Sequence, residues 1–407
     1  MLFSSARTST FPIGRGFLVS AVAVSLALAG CGSSDDSSAA DTAAQECIAD
    51  FDPTVDYFPD KSEIVDAENF HIGYEKSYQV LTVEEPFPEG DPESYVLVRC
   101  GAPAPELNGA LADAPEITVP ITSLYSASTT HLPLVTALGA LDTLTGVSDG
   151  SFASDAEVLE RIESGDVTEY APGSVIDVEK VVLAAPDVLM TGGTEEASYT
   201  KLREAGISVV ANAEWLESSP LGRAEWVKVM AALTGTETAA ADVFDDISDR
   251  YNEVAELATD QPAVSVLPGS MHEGTWSMPS GGSYVGQLLA DAGATYPWED
   301  TTGTGSQLLD IESVFAKAGD ASVWTVVNSW TSVEQALGED ERYAELDAVD
   351  GGQVWNANKA LGPQGGNDYW ERGVLRPDLV LADLVALLHP DVLPDHDFEF
   401  YQKLPAA

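Results

Sequence analysis

Positive charge is what this chain lacks most: its 407 residues include 18 Lys and Arg against 67 Asp and Glu. Nucleic-acid binding needs Lys and Arg clustered on phosphates, so a pI near 4.1 argues against it. The same excess of anions would repel an anionic membrane surface, so attachment there calls for a lipid rather than a basic patch. It also keeps a protein soluble at high ionic strength, which is compatible with a saline habitat. Histidine is nearly as scarce. His71, His131, His272, His389 and His396 are the full set, whereas a Zn or Mn carrier needs three or four well-placed ligands. The three cysteines include no C-x-x-C pair, which removes the usual thiol metal and redox motifs. No long apolar run follows Ala29, and neither Gly-x-Gly-x-x-Gly nor a P-loop occurs; Gly303-x-Gly305 lacks the strand-to-helix setting. No catalytic residue, cofactor or resident metal is expected, and the chain reads as a binding protein rather than an enzyme.

What is present starts at the N-terminus. Arg7 and Arg15 precede an uncharged apolar run, 17–29, too short to span a bilayer, which takes about 20 apolar residues. That order belongs to a secretory signal. Ending in Leu28-Ala29-Gly30-Cys31, residues 1–31 resemble a bacterial lipoprotein signal. The resemblance implies that Cys31 receives lipid and that the remainder works outside the cytoplasmic membrane, tethered to it. Residues 32–46, mostly Ser, Asp, Ala and Thr, form a polar tether. With Cys31 lipidated, Cys47 and Cys100 remain as a pair in an oxidising compartment and are expected to form a disulfide.

Residues 47–117 read as a β-rich extension: 71–74, 78–83 and 95–98 are β-branched or aromatic runs separated by Pro- and Gly-rich turns. From about 118 strands alternate with helices. Strands are expected at 117–121, 144–147, 187–190 and 208–210, with helices ending at 138 and spanning 178–184 and 199–204. Such alternation implies parallel sheet in a first lobe, 118–234. Within 236–259, Val243, Ile247, Tyr251, Val254 and Leu257 recur at three- and four-residue steps, the pattern of one long amphipathic helix. It would bridge, over 235–260, to a second lobe, 261–407, with α/β segments at 263–267, 286–289, 322–327 and 353–355 and a final helix at 378–388. An internal repeat supports two lobes of similar plan: Asp177-Val178-Glu179 precedes Asp187 as Asp310-Ile311-Glu312 precedes Asp320, with eight residues from Glu to Asp in each. The expected fold class is α/β, two Rossmann-like lobes joined by one helix with a β-rich N-terminal extension.

With Ser123–Thr130, Leu138-Gly139-Ala140, Gly146-Val147, the 177–190 segment and the bridging helix, residues 118–400 resemble a class III solute-binding protein of ABC importers, the vitamin B12 and ferric-siderophore type. The tail, with Gly365-Gly366-Asn367-Asp368-Tyr369-Trp370-Glu371, Arg376-Pro377-Asp378 and His389-Pro390, resembles the iron-uptake branch. The resemblance implies a monomer that captures an iron chelate between its lobes and delivers it to a permease and its ATPase. One glutamate on each lobe would dock into the permease, and Glu179 and Glu312 occupy those positions. The 47–117 extension departs from the family pattern and receives no role.

Ligands of layered α/β proteins bind at the C-terminal ends of the strands. In the first lobe this selects Tyr125, Ser126, Thr129, Thr130, His131, Asn212 and Trp215. In the second it selects His272, Thr275, Trp276, Tyr284, Trp330, Tyr369 and Trp370. Trp226 and Trp324, inside periodic segments, read as core. Arg372, with Arg223, Lys359 and Arg376, could meet an anionic siderophore. Haem or cobalamin cargo and a glycan-binding surface lipoprotein are the alternatives; aromatic clefts with carboxylates also bind sugars.

Overall fold

The computed structural model describes residues 47–406, so Cys31, the signal and the 32–46 tether lie outside the described residues. The extension opens with an antiparallel meander, β1 (Phe70–Tyr74), β2 (Tyr78–Val83) and β3 (Glu93–Arg99). Strict alternation along β2 buries Gln79, Leu81 and Val83 on one face. The strand expected to open the first lobe at 117–121 is instead β4 (Glu116–Val119), which pairs in parallel with β3 and completes the extension's sheet. Strand propensity is local, whereas the choice of partner strand is not. The Cys47–Cys100 disulfide, with Cα atoms 4.8 Å apart, staples the start of the described chain to the residue after β3.

Buried carboxylates hold the extension to the first lobe. Glu225 accepts the backbone N–H groups of Val65, Asp66 and Ala67 at 2.7–2.8 Å and pairs with Lys228 at 2.5 Å. Glu217 accepts those of Glu68 and Asn69 and the indole N–H of Trp226. A carboxylate has about four acceptor sites, so each of these two satisfies several loop N–H groups at once.

The first lobe is a parallel sheet in the order β7-β6-β5-β8-β9, formed by β5 (Leu124–Ser126), β6 (Leu144–Val147), β7 (Thr168–Glu169), β8 (Val188–Thr191) and β9 (Val209–Ala211). In the second lobe β10 (Val264–Pro268) is followed by a small antiparallel sheet of β11 (Met271–His272), β12 (Thr275–Pro279) and β14 (Ser306–Leu309). The main sheet there runs β13 (Ala294–Thr295), β10, β15 (Val323–Val326), β16 (Val354–Asn356), all parallel, with β17 (Gln402–Lys403) antiparallel at the edge. The segment 286–289 lies within the helix Tyr284–Asp291, started by Ser283, whose side chain accepts from Gly286 N.

The bridging helix is Glu237–Ala258, 22 residues and about 33 Å long. It buries Ala240, Phe244, Ile247, Tyr251 and Ala258, while Leu257 turns to solvent. It packs on the fully buried helix Val227–Thr234 of the first lobe and on Pro377–Leu388 of the second. The Tyr251 hydroxyl donates to Asp291 at 2.6 Å, pinning the helix to the second lobe.

Candidate ligand-binding cleft

Two inter-lobe contacts, one of them between the loops that follow β6 and β16, define a cleft between the lobes. In the first, the buried carboxylate of Glu371, in the loop after β16, accepts the N–H groups of Ser154 (2.7 Å) and Asp155 (2.9 Å), in the loop after β6. Those groups open the helix Ala156–Ser164, whose unpaired N–H groups favour an anion. Burial, which outweighs the stabilising N–H groups, pushes the Glu371 pKa up to about 7. Gly362 and Gly366 press on the carbonyls of Phe152 and Ala153, where a Cβ would collide with backbone of the opposite lobe. In the second contact, buried Arg223 lies 4.1 Å over the ring of Tyr284 and pairs with Glu214 at 3.2 Å.

Within the cleft the second lobe carries a cavity of about 230 Å³ beyond the ends of β10 and β15. Its wall is mainly apolar, with Val285, Leu288, Leu289 and Val326 beside Tyr369 and Trp370; Ser270, Ser277, Ser306 and Thr325 supply its polar groups, and His272 also borders it. Trp370 is 43% exposed and sits edge-on to Tyr369 at 4.9 Å. Gly269, at φ +86, lets the chain pass against the Ser277 carbonyl, where a Cβ would overlap. Two larger hollows, about 590 and 730 Å³, border the extension and approach the N-terminal side of the first sheet, away from the strand ends where ligands enter.

The structure brings His272, Tyr369 and Trp370 to this cavity, leaves Thr129, Thr130, Trp215 and Thr275 partly exposed, and keeps Tyr284 beneath Arg223. Other expected contacts are closed off. Tyr125 stacks on Tyr170 at 5.1 Å within a buried cluster. Ser126 and His131 bond to each other at 2.8 Å inside the core, and burial pushes His131 down to about 3, so it stays neutral. Asn212 is fully buried, its side-chain oxygen accepting Glu214 N–H. Trp276 and Trp330 are buried with Trp324 and Tyr343 in one aromatic cluster, ring centroids 4.9–6.1 Å apart. Trp276, expected in a loop, lies in strand β12, and Trp330 follows β15; burying such a ring contributes about 2 kcal/mol or more. Trp226 is buried against Phe70. Arg372 is held by Asp368 (2.8 Å) and Glu399 (3.0 Å), Arg376 by Asp378, and Lys359 by Asp397.

Glu371, Glu214 and the cavity hydroxyls were not selected from sequence. Glu371 bonds a residue 217 positions away, so no local spacing marks it. The hydroxyls of Ser277 and Thr325 were findable in principle, as polar positions in otherwise apolar strands. One Gly-x-Ser-x-Gly pattern does occur, at 146–150. Ser148 follows β6, yet its Oγ donates to the Ala127 carbonyl and a short 3-10 turn follows rather than a helix; the buried His131 is engaged by Ser126 instead. Among the described residues no group of three or more His, Cys, Asp or Glu is placed to hold a metal ion.

A family model described as periplasmic binding protein matches residues 121–361, more than half of the chain. The chain belongs to that family. Its two lobes and single bridging helix are those of the class III solute-binding proteins of ABC importers, which work with a permease and its ATPase and are substrate-binding proteins by type. An uncharacterized lipoprotein of Methanocaldococcus jannaschii is 28% identical over 296 residues, 70% of each chain, and a second from the same organism is 22% identical over 76% of this chain and 80% of its own. Family and lipoprotein relatives together indicate an extracytoplasmic location. Among solved structures the fold is shared with a periplasmic heme binding protein from Pseudomonas aeruginosa (TM-score 0.51, 21% identity, covering 66% of this chain and 93% of that one). It is shared also with a Helicobacter pylori protein solved with Ni(II) bound (TM-score 0.54, 14% identity, 69% and 88%). Among the described residues no helix of this family member is long and apolar enough to cross a membrane.

Proposed function

We propose that this protein is a lipid-anchored receptor that captures a ferric siderophore between its lobes and hands it to an ABC permease. The observation that carries the reading is the second-lobe cavity beyond the ends of β10 and β15, mainly apolar with a few hydroxyl-bearing residues and bordered by exposed Trp370. Aromatic faces with a few hydroxyl donors suit a bulky chelate whose oxygens surround the metal, held by shape and hydrogen bonds. A bare-ion carrier would need several His or carboxylate ligands converging on one point. Cys31 would supply the anchor, and a single acyl chain is marginal, so multiple acylation is expected.

Delivery would use Glu179 and Glu312. Each is exposed in the first turn of a helix capped by an aspartate, Asp177 accepting Lys180 N at 3.0 Å and Asp310 accepting Ser313 N at 2.7 Å. Exposed apolar side chains accompany both: Val175 (73%) and Leu183 (89%) in the first lobe, Leu308 (76%) in the second. Contiguous apolar surface around a charged anchor is typical of a docking face. Glu312 is paired at the surface with Arg342, 3.1 Å away, which a permease arginine would displace.

Tryptophan fluorescence titration of the purified full chain with ferric hydroxamates, ferric catecholates, haem and cobalamin tests the cargo. Saturable quenching by an iron chelate at sub-micromolar concentration is expected. Response to haem or cobalamin alone would replace the cargo, and response to a sugar but to none of the four would replace the function. Substituting Glu179 and Glu312 by Ala together should abolish transport and leave affinity unchanged; lost affinity would refute the docking role.

A further inference from the structure

The charges around the cleft restrict its cargo further than the cavity's shape does. Among the described residues, Arg223, Arg372, Arg376 and Lys359, the cations expected to meet an anionic ligand, are each held by a carboxylate. Arg223 is buried and paired with Glu214. Arg372, beside Tyr369 and Trp370, is shared by two carboxylates, Asp368 and Glu399, leaving that group net negative. Arg376 is paired with Asp378 at 2.6 Å and Lys359 with Asp397 at 2.9 Å. Glu371 adds a further acid between the lobes. The cavity wall itself contains no Lys, Arg, Asp or Glu. Over the whole chain, 67 acidic residues stand against 18 basic ones.

We propose, resting on the reading of this protein as a chelate receptor, that the cleft admits electrically neutral and cationic ferric chelates and rejects polyanionic ones. A polyanion would have to displace Asp368 or Glu399 to gain Arg372, leaving a carboxylate unpaired beside it. Like charges brought together at a partly desolvated site oppose binding, and this exclusion gives specificity without any added attraction. A chelate whose donor oxygens cancel the ferric charge meets no such opposition. Its oxygens can accept from the serine and threonine hydroxyls, and its carbon skeleton can lie on Trp370. The summed negative potential also raises the local concentration of cationic chelates and depletes anionic ones, over a range set by ionic strength.

The test uses the full chain in detergent at a fixed pH of about 8. Three ferric complexes are compared by tryptophan quenching: ferrioxamine B, which is cationic, its neutral N-acetyl derivative, and the trianionic ferric enterobactin. Both hydroxamates are expected to bind at least about 100-fold more tightly than the tricatecholate, with the gap narrowing as salt rises. Glu399→Gln, which releases Arg372 from one of its two carboxylates, should raise tricatecholate affinity about tenfold and leave the neutral hydroxamate unchanged. Equal or tighter binding of ferric enterobactin by the unaltered protein overturns the charge rule while the chelate reading stands. An unchanged tricatecholate affinity in Glu399→Gln overturns the assignment of the exclusion to the Arg372 cluster. No response to any of the three, with saturation by haem or cobalamin, overturns the chelate reading and the proposal with it.

Discussion

Replacing Glu371 by Gln should remove a defined pH-dependent contribution to the stability of the two-lobe structure. The carboxylic acid is buried between the lobes, where it accepts the N–H groups of Ser154 and Asp155, and its pKa is pushed up from 4.5 to about 7. Because the folded chain holds this proton more tightly than the unfolded one, the contribution is fully present below the unfolded pKa and is lost as pH rises through the folded one. The shift corresponds to about 3 kcal/mol in total, of which about 2 kcal/mol falls between pH 5.5 and 8.0. His131 acts in the opposite sense. Its pKa is pushed down to about 3, so it contributes stability above the unfolded value of 6.5 that is lost as pH falls. Since that group is common to both proteins, the difference between them isolates Glu371. Urea unfolding of the wild type and Glu371→Gln at pH 5.5 and 8.0 would measure it. The wild type should lose about 2 kcal/mol more than the variant on going to pH 8.0. Parallel pH dependences in the two proteins would refute the argument that burial, rather than the two N–H donors, dominates this carboxyl.

Two further outcomes follow from the packing. Trp370→Phe should remove most of the ligand-induced fluorescence change, because Trp226, Trp276, Trp324 and Trp330 are buried and Trp370 alone among the tryptophans lines the cavity; an unchanged quench would move the ligand elsewhere. Replacing Cys47 and Cys100 by Ser opens a link spanning 53 residues and should cost up to about 4 kcal/mol, read as a lower denaturation midpoint.

The sequence by itself determined what depends on near neighbours and on composition. The bridging helix was legible within a residue at each end, because its apolar residues recur at helical spacing over 22 positions. The paired helix starts at Asp177-Val178-Glu179 and Asp310-Ile311-Glu312 were legible for the same reason, each cap being satisfied within three residues. The Cys47–Cys100 link followed from counting thiols in an oxidising compartment. Tertiary structure alone decided which side chains reach the cleft. Whether an indole is exposed, as that of Trp370 is, or buried, as those of Trp276 and Trp330 are, depends on space left by distant residues such as Tyr343. It also decided which charges are available. Arg372 is one of a small set of cations and a candidate anion ligand in the sequence, yet Glu399, twenty-seven positions away, engages it. Glu371 joins the lobes through amides 216 and 217 positions away. Burial and ion pairing are set by neighbours in space, and over such separations the order of residues does not specify which neighbours those are.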